Sequence, residues 1–457
     1  MQNRTASILL AIIISFNLQS CNLQNSNTPQ TETEINFAND IAPIIFKNCT
    51  VCHNPNGAGP FNLLSYADVF KRKQLIVAVT KSGFMPPWPA DTIYSHFAGE
   101  KKLNKNERAL IERWVKLGAK SGDTSNEKNY FEQKISNFSK PDLVLTMPES
   151  LLIKGDARDL FLLMKIPYQL ETEKIVKKIE FVPGQKKLVH HVNGQLLMYD
   201  FYKRKNVNSG AKSVSIDEYP TVLSAYQKMQ LAHDDGTYPT MKQSVVNYLP
   251  GVEGVEYPQG IGGFIMPKKG AFFFKDIHYG PATRDVYDVS KLNIWFGTEP
   301  TKRPTFEMQL GTLGISIIEP PLIIPPNEIK TFKTQITITA DMSVLTVNPH
   351  MHLLGKKFWA YAITPTGDTI KMIKINKWDF RWQYFYTYKN IMHLPAGTTI
   401  YAFGVYDNTI NNTLNPNHPP KIVAERDGSM RTTDEMFQFI ITYLPYQKGD
   451  ENISLEK

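Results

Sequence analysis

From Asp142 onward the chain is cut into short apolar runs by Gly and Pro, and this punctuation limits the fold more than any other feature. Asp142-Leu-Val-Leu-Thr-Met, Asp159-Leu-Phe-Leu-Leu-Met-Lys-Ile and Ile175-Val-Lys-Lys-Ile-Glu-Phe-Val are strand-length, and turn signals recur about every 8–12 residues. That spacing predicts β-sandwiches or jelly rolls. Thr334-Gln-Ile-Thr-Ile-Thr339 alternates as a strand with one face to the core and one to water. Residues 204–238 are less regular and read as an insertion, helical around Thr221 to Ala232. No repeat of fixed period and no low-complexity tract is present.

Histidines cluster within this β-rich part. In Asn348-Pro-His350-Met-His352-Leu-Leu-Gly-Lys356, His350 and His352 leave the same strand face and can grip one metal ion. The pair alone fits two polar residues on a wet face equally well. His190 and His191 are adjacent, so on a regular strand they point to opposite sides; they serve one metal only at a bulge or strand end. His278, in Asp276-Ile-His278-Tyr-Gly, and Met436, in Asp434-Glu-Met436, read singly as core residues. His96, His233, His393 and His418 have no such context.

The front of the chain is different. Cys49-Thr-Val-Cys52-His53 is the c-type haem attachment motif, with two thiols for the two vinyl groups and His53 as proximal iron ligand. Zinc would need a second cysteine pair, and the thioredoxin-like reading lacks its βαβ flanks. Phe37, Ile41, Ile44 and Ile45 lie at helical spacing before the motif. A second helix is expected over about 104–117, opened by an Asn104/Glu107 capping box and carrying a stripe of Leu110, Trp114 and Leu117. Two helices around this motif look like a small all-α class I cytochrome c domain. Met85, in Gly-Phe-Met85-Pro-Pro-Trp, is the one methionine between the motif and the end of that helix. It is the expected sixth ligand, and Met/His ligation favours electron transfer.

Residues 1–21 have a positive start at Arg4 and an apolar core over Ile8 to Phe16, too short to span a bilayer. Leu18-Gln-Ser-Cys21 resembles a bacterial lipobox, which implies a lipid on Cys21 and an exported, envelope-anchored protein on the periplasmic side of the outer membrane. Residues 22–34 are polar and read as a tether. The 457-residue chain carries a net charge of +8 without a basic run interleaved with aromatics, which excludes nucleic-acid binding. The boundaries that follow are a cytochrome domain over 35–120, a linker over 121–140, β-domains over 141–300 and 301–446, and a polar tail over 447–457.

His-His, then His-Tyr-Gly, then His-x-His-x-Leu-Gly-Lys, then Thr-x-Asp-Glu-Met, in this order, resemble the copper type II, ascorbate-dependent monooxygenases. The likeness extends to Val246-Asn-Tyr-Leu-Pro-Gly, Tyr406-Asp-Asn and Asn415-Pro-Asn, and covers roughly 141–445. It implies two jelly-roll domains with two copper ions. His190, His191 and His278 would hold the electron-transfer copper, and His350, His352 and Met436 the copper that meets O₂ and a small organic substrate. Imidazole suits both copper states, and a thioether favours Cu(I). The implied reaction hydroxylates an sp³ carbon with O₂, two electrons and two protons. The covalent haem c would stand where the family uses ascorbate, fed by a further electron donor. It would pass electrons to the His190 set and from there to the His350 set across an open cleft.

Departures from the pattern matter. In the peptide-amidating members an arginine precedes the first histidine of His-x-His by two residues and holds the substrate carboxylate; here that residue is Asn348. The asparagine and tyrosine that follow the methionine ligand there fall at Gln438 and Ile440. Asparagine cannot make the bidentate pair, so C-terminal glycine peptides are poor candidates. Two rival readings remain at this stage. One is a non-haem Fe(II) oxygenase using His350, His352 and Asp434 or Glu435; the other is a lipid-anchored haem and copper redox or copper-holding protein without hydroxylase activity.

Overall fold

The structure is a computed structural model that describes residues 35–55, 57–125, 140–215, 218–219, 221–252, 256, 258, 260–297, 302–425 and 433–456. Cys21, the tether and most of the 121–140 linker lie outside the described residues.

A helical turn over Phe37–Ile41 runs into α1 (Ala42–Asn48), followed by α2 (Tyr66–Lys71), α3 (Lys73–Lys81) and α4 (Lys105–Lys116). Asn104 and Glu107 close the capping box that opens α4, satisfying two otherwise orphaned N–H groups. Phe37, Ile41, Ile45, Val69, Ile76, Ile111 and Trp114 form the core of this helical unit. The α4 stripe differs from the expected one: Ile111 is buried beside Trp114, while Leu117 is 52% exposed. The helix stops at Lys116, so Leu117 sits on its cap and leaves the buried face.

The first β-unit contains β1 (Leu143–Thr146), β2 (Leu151–Ile153), β3 (Leu160–Gln169), β4 (Lys174–Val182), β5 (Val189–Met198) and β6 (Ser213–Ser215). It continues with β7 (Thr240–Tyr248), β8 (Phe264–Met266), β9 (Lys269–Tyr279), β10 (Val286–Asp288) and β11 (Lys291–Phe296). Its strands pair in the orders β1-β11-β4-β8 and β6-β3-β9-β5-β7, with β2 and β10 as a separate pair. Val176, Phe181, Leu196, Phe272, Phe274 and Ile294 fill the space between the sheets. Within the irregular insertion, α5 (Val222–Met229) forms where expected, with a Thr221 cap. It packs Ala225 and Met229 with Phe273.

The second β-unit repeats the plan with β12 (Phe306–Gly311), β13 (Ile318–Glu319), β14 (Ile323–Ile324), β15 (Ile329–Thr337), β16 (Met342–Met351) and β17 (Gly355–Ile363). β18 (Thr369–Ile375), β19 (Tyr386–Leu394), β20 (Thr399–Asp407), β21 (Val423–Ala424) and β22 (Phe437–Pro445) complete it. The sheets run β12-β22-β16-β19 and β13-β15-β20-β17-β18. Pairing is antiparallel, and β20 alternates buried and half-buried residues along its length, as a strand with one face on a core must.

Residues 87–98, which belong to the helical unit by sequence, cross onto this second sandwich. Asp91 N–H donates to Lys374 O at 2.7 Å and Ala98 N–H to Thr387 O at 2.8 Å. Tyr384 OH donates to Pro87 O at 2.9 Å. Ala90 and Phe97 are buried in the second sandwich's own core. No helix among the described residues is long and apolar enough to cross a membrane.

Candidate metal centres

The pairing of β5 with β9 slips between Val189 and His191, which leaves His190 as the extra residue of a bulge. The bulge resolves the conflict between two adjacent histidines. The His190 and His278 rings lie 4.8 Å apart, and those of His191 and His278 5.0 Å. His278 stands opposite His191 in the register. A side chain at Gly280 would strike the His190 ring, so the residue after Tyr279 has to be small.

Two of the three imidazoles are fixed by carboxylates. His191 Nε2 donates to Asp276 Oδ2 at 2.8 Å, and His278 Nε2 donates to Asp159 Oδ1 at 2.7 Å. The Nδ1 atoms of His190, His191 and His278 are all buried with no hydrogen-bond partner. Three orphaned ring nitrogens in one place would cost free energy unless something accepts their lone pairs. Burial, then the charge of His278, pushes His190 down to about 4; burial also lowers His278. Both are therefore neutral at pH 7, the form that ligates a metal. Ligand atoms of Asp159, His190 and His278 lie within 4.8 Å of one another, a group that does not include His191. The bond from His278 Nε2 makes Asp159 the partner that orients the ring.

The second set sits at the end of β16. His350 Nδ1 donates to Gln383 Oε1, and His352 Nδ1 donates to Asp434 O at 2.9 Å. Carbonyl oxygens only accept, so both lone pairs reside on Nε2. His350 Nε2 is buried without a partner, and the two rings lie 5.0 Å apart. Burial, then His352, pushes His350 down to about 3. β22 pairs Met351 with Phe437, so the register continued by one residue sets buried Met436 opposite His352. Glu435 accepts from His352 N–H, Leu354 N–H and Met436 N–H at 2.9, 2.7 and 3.3 Å. Burial pushes its carboxyl up to about 8. A carboxyl group so buried and so committed to backbone donors is a clamp for the ligand loop, which weighs against Glu435 as the third ligand of an iron triad.

A single phenyl ring spans the two sets. Phe380 lies 5.9 Å from His191, 6.0 Å from His278 and 5.7 Å from His352, centroid to centroid. His191 and His350 line one cleft of 1240 Å³, along with Asn348, Gln438 and Ile440. The Asn348 amide donates to Gln383 O and Tyr384 O at 3.3 and 2.9 Å, so this residue ties down a loop. Val51 and Lys101 of the helical unit line the same cleft.

In the helical unit Cys49 caps α1, and Cys49 and Cys52 are free thiols one turn apart. His53 Nδ1 donates to Phe61 O at 3.0 Å, which leaves Nε2 with the lone pair an iron ligand needs. This donor set fits a covalent haem. Met85 is half-buried in the loop after α3, with its N–H held by Val79 O at 3.1 Å. His96 is exposed and pairs with Glu100, and His393 stacks on Tyr446.

Sequence reasoning missed Asp159, Asp276, Phe380 and Gln383. Asp276 was within reach, since it precedes His278 by two and so shares its strand face. The others arrive from remote strands and loops with no local signal.

Residues 309–450 match the family model described as copper type II ascorbate-dependent monooxygenase, C-terminal domain. That segment contains His350, His352 and Met436. No curated protein matches the chain. Among solved structures, the chain is 10% identical to PNGF-II over 69% of its length and 67% of that chain, with a TM-score of 0.23. It is 10% identical to infectious bursal disease virus Gt strain over 69% of this chain and 75% of that one, TM-score 0.15. It is 9% identical to procruciferin, an 11S globulin from Brassica napus, over 68% and 84%, TM-score 0.14. Likenesses this remote do not bear on the fold.

Proposed function

We propose that the chain is a two-copper monooxygenase that hydroxylates an sp³ carbon of a small organic substrate with O₂. The observation that carries this reading is the set of orphaned ring nitrogens, Nδ1 of His190, His191 and His278 in one sandwich and Nε2 of His350 in the other, with His191 and His350 lining one cleft. The family match over 309–450 supports it. His190, His191 and His278 would hold one copper, and His350, His352 and Met436 the other. Bound copper supplies one-electron chemistry and, at the site with a soft thioether, affinity for O₂ as Cu(I).

The chain's own residues do the rest. Asp159 and Asp276 fix the tautomers of the first set, and Gln383 and Asp434 O those of the second. The cleft admits substrate between them. Asn348 is spent on Gln383 and Tyr384, so it is not free to hold a substrate carboxylate as the arginine of peptide-amidating members does. A haem attached at Cys49 and Cys52, with His53 and Met85 as axial ligands, would supply the electrons. Cys21 would carry the lipid that keeps the protein at the cell envelope.

Metal analysis and a reaction comparison test the reading. Two copper ions and one haem per chain are expected. The reduced, copper-loaded protein given O₂ and a metabolite extract should produce a hydroxylated species that is absent without O₂. One iron beyond the haem, or oxygen uptake without any hydroxylated product, would overturn it.

A further inference from the structure

The Cys52 corner packs against the first sandwich and shares one cleft with residues of both. Gly251, in the loop after β7, adopts φ +76°, and a side chain there would strike Cys52 Sγ. Lys101 beside it donates to Gly251 O. Two tyrosines flank this corner, one from each sandwich. Burial lifts the phenols of both Tyr248 and Tyr384 above their ordinary range, and Val51, Lys101 and Gly251 of the corner line the same cleft as the two tyrosines. Both rings line the cleft.

Each tyrosine is a short step from a different histidine set. Tyr248 ends β7 and is paired with Val192 of β5, the residue after His191. Tyr384 follows Gln383, whose side chain accepts from His350 Nδ1. Its backbone oxygen holds Asn348, two residues before His350. On the haem side, the Tyr384 ring lies 5.4 Å from Trp88, three residues after Met85, and its hydroxyl is bonded to Pro87 O. The same loop carries Arg381, which lies 5.8 Å from the Phe84 ring.

We propose that Tyr248 and Tyr384 are the two arms of a fork, leading from the Cys52 corner to His191 and to His350, so that each metal site receives its electron directly. This replaces the serial order expected from the sequence, and it rests on the reading that the haem and both coppers occupy the sites described above. Each transfer converts Fe(II) and Cu(II) to Fe(III) and Cu(I). Two transfers require one re-reduction of the haem by an external one-electron carrier.

The test uses the full chain with haem and oxidised copper, without O₂. The haem is reduced by a photosensitiser flash, and its reoxidation is followed by absorbance alongside the Cu(II) paramagnetic signal. In wild type the haem reoxidises as the copper signal falls. In H190A/H191A, with copper content confirmed at the remaining site and an unchanged melting curve, the haem should still reoxidise at a rate within a few-fold of wild type. H350A/H352A should behave likewise. Adding Tyr384→Leu to the H190A/H191A protein should slow the transfer by at least an order of magnitude. Tyr384→Phe, which keeps the ring, should restore it. A haem that stays reduced in H190A/H191A but reoxidises in wild type would overturn the fork and restore the serial order. A wild-type haem that never reoxidises would instead sink the underlying reading that haem feeds copper.

Discussion

The two histidine sets occupy equivalent sandwiches yet are wired in opposite senses. In the first, two imidazoles donate through Nε2 to carboxylates, and three Nδ1 atoms are left buried without a hydrogen-bond partner. In the second, both imidazoles donate through Nδ1 to neutral oxygens, an amide and a backbone carbonyl, and present Nε2. A carboxylate partner makes an imidazole a stronger donor and so favours the more charged Cu(II). A neutral partner does less, and a thioether favours Cu(I). The contrast agrees with the proposed roles, electron holding at the His190 set and oxygen binding at the His350 set, through second-layer hydrogen bonds together with the Met436 thioether.

The largest test of this contrast removes the soft ligand. Met436→Ile should leave the fold and the copper at His190, His191 and His278 intact while oxygen reactivity falls by more than the roughly 10–100-fold typical of a residue one step behind a metal. Copper content and oxygen uptake measure both halves; normal turnover would make Met436 a core residue and dissolve the distinction. Next, Asp276→Asn should weaken copper binding at the first set by about 10–100-fold and lower its preference for Cu(II), with the second set unaffected. Site-resolved copper titration would show it.

Gln383→Leu should act in the other direction, loosening only the second set. A loss toward the lower end of that range, about tenfold, is expected, because His352 keeps its bond to Asp434 O. The last test concerns protons. In copper-free protein, His190 at about 4 and His350 at about 3 titrate below the ordinary 6.5. The unfolded chain therefore binds more protons as pH falls through 6.5, and stability declines. Each group contributes up to about 1.4 kcal/mol per pH unit. The decline from His190 should level off near pH 4 and that from His350 near pH 3, and copper should suppress both. Denaturant unfolding from pH 7 to 3 measures it; a flat profile in the copper-free protein would mean that the histidines are not buried as described.

What the sequence made legible was local. The helices around Cys49-x-x-Cys-His53, the Asn104/Glu107 box, the strands and the helical part of the insertion all follow from periodicity and caps a few residues long. Leu117 failed because periodicity does not mark where a helix ends. The pairing of His190 with His191 was undecidable from spacing, since it depends on a register slip against β9, some ninety residues further on. Asp159, Gln383 and Phe380 reach the sites through tertiary packing, and no neighbouring residue announces them.

The crossing of residues 87–98 onto the second sandwich has a consequence for how the protein is made and broken. Phe97 and Ala90 fill space inside that sandwich, and losing a buried phenylalanine costs about 3–5 kcal/mol. The helical unit and the sandwich that carries the family match are therefore not interchangeable cassettes. Truncating the first would leave the second with a hole and an unfilled sheet edge at Lys374 and Thr387. A protease cut in the 121–140 connector should leave the two pieces together as a nicked particle, held by the crossing segment until denaturant separates them.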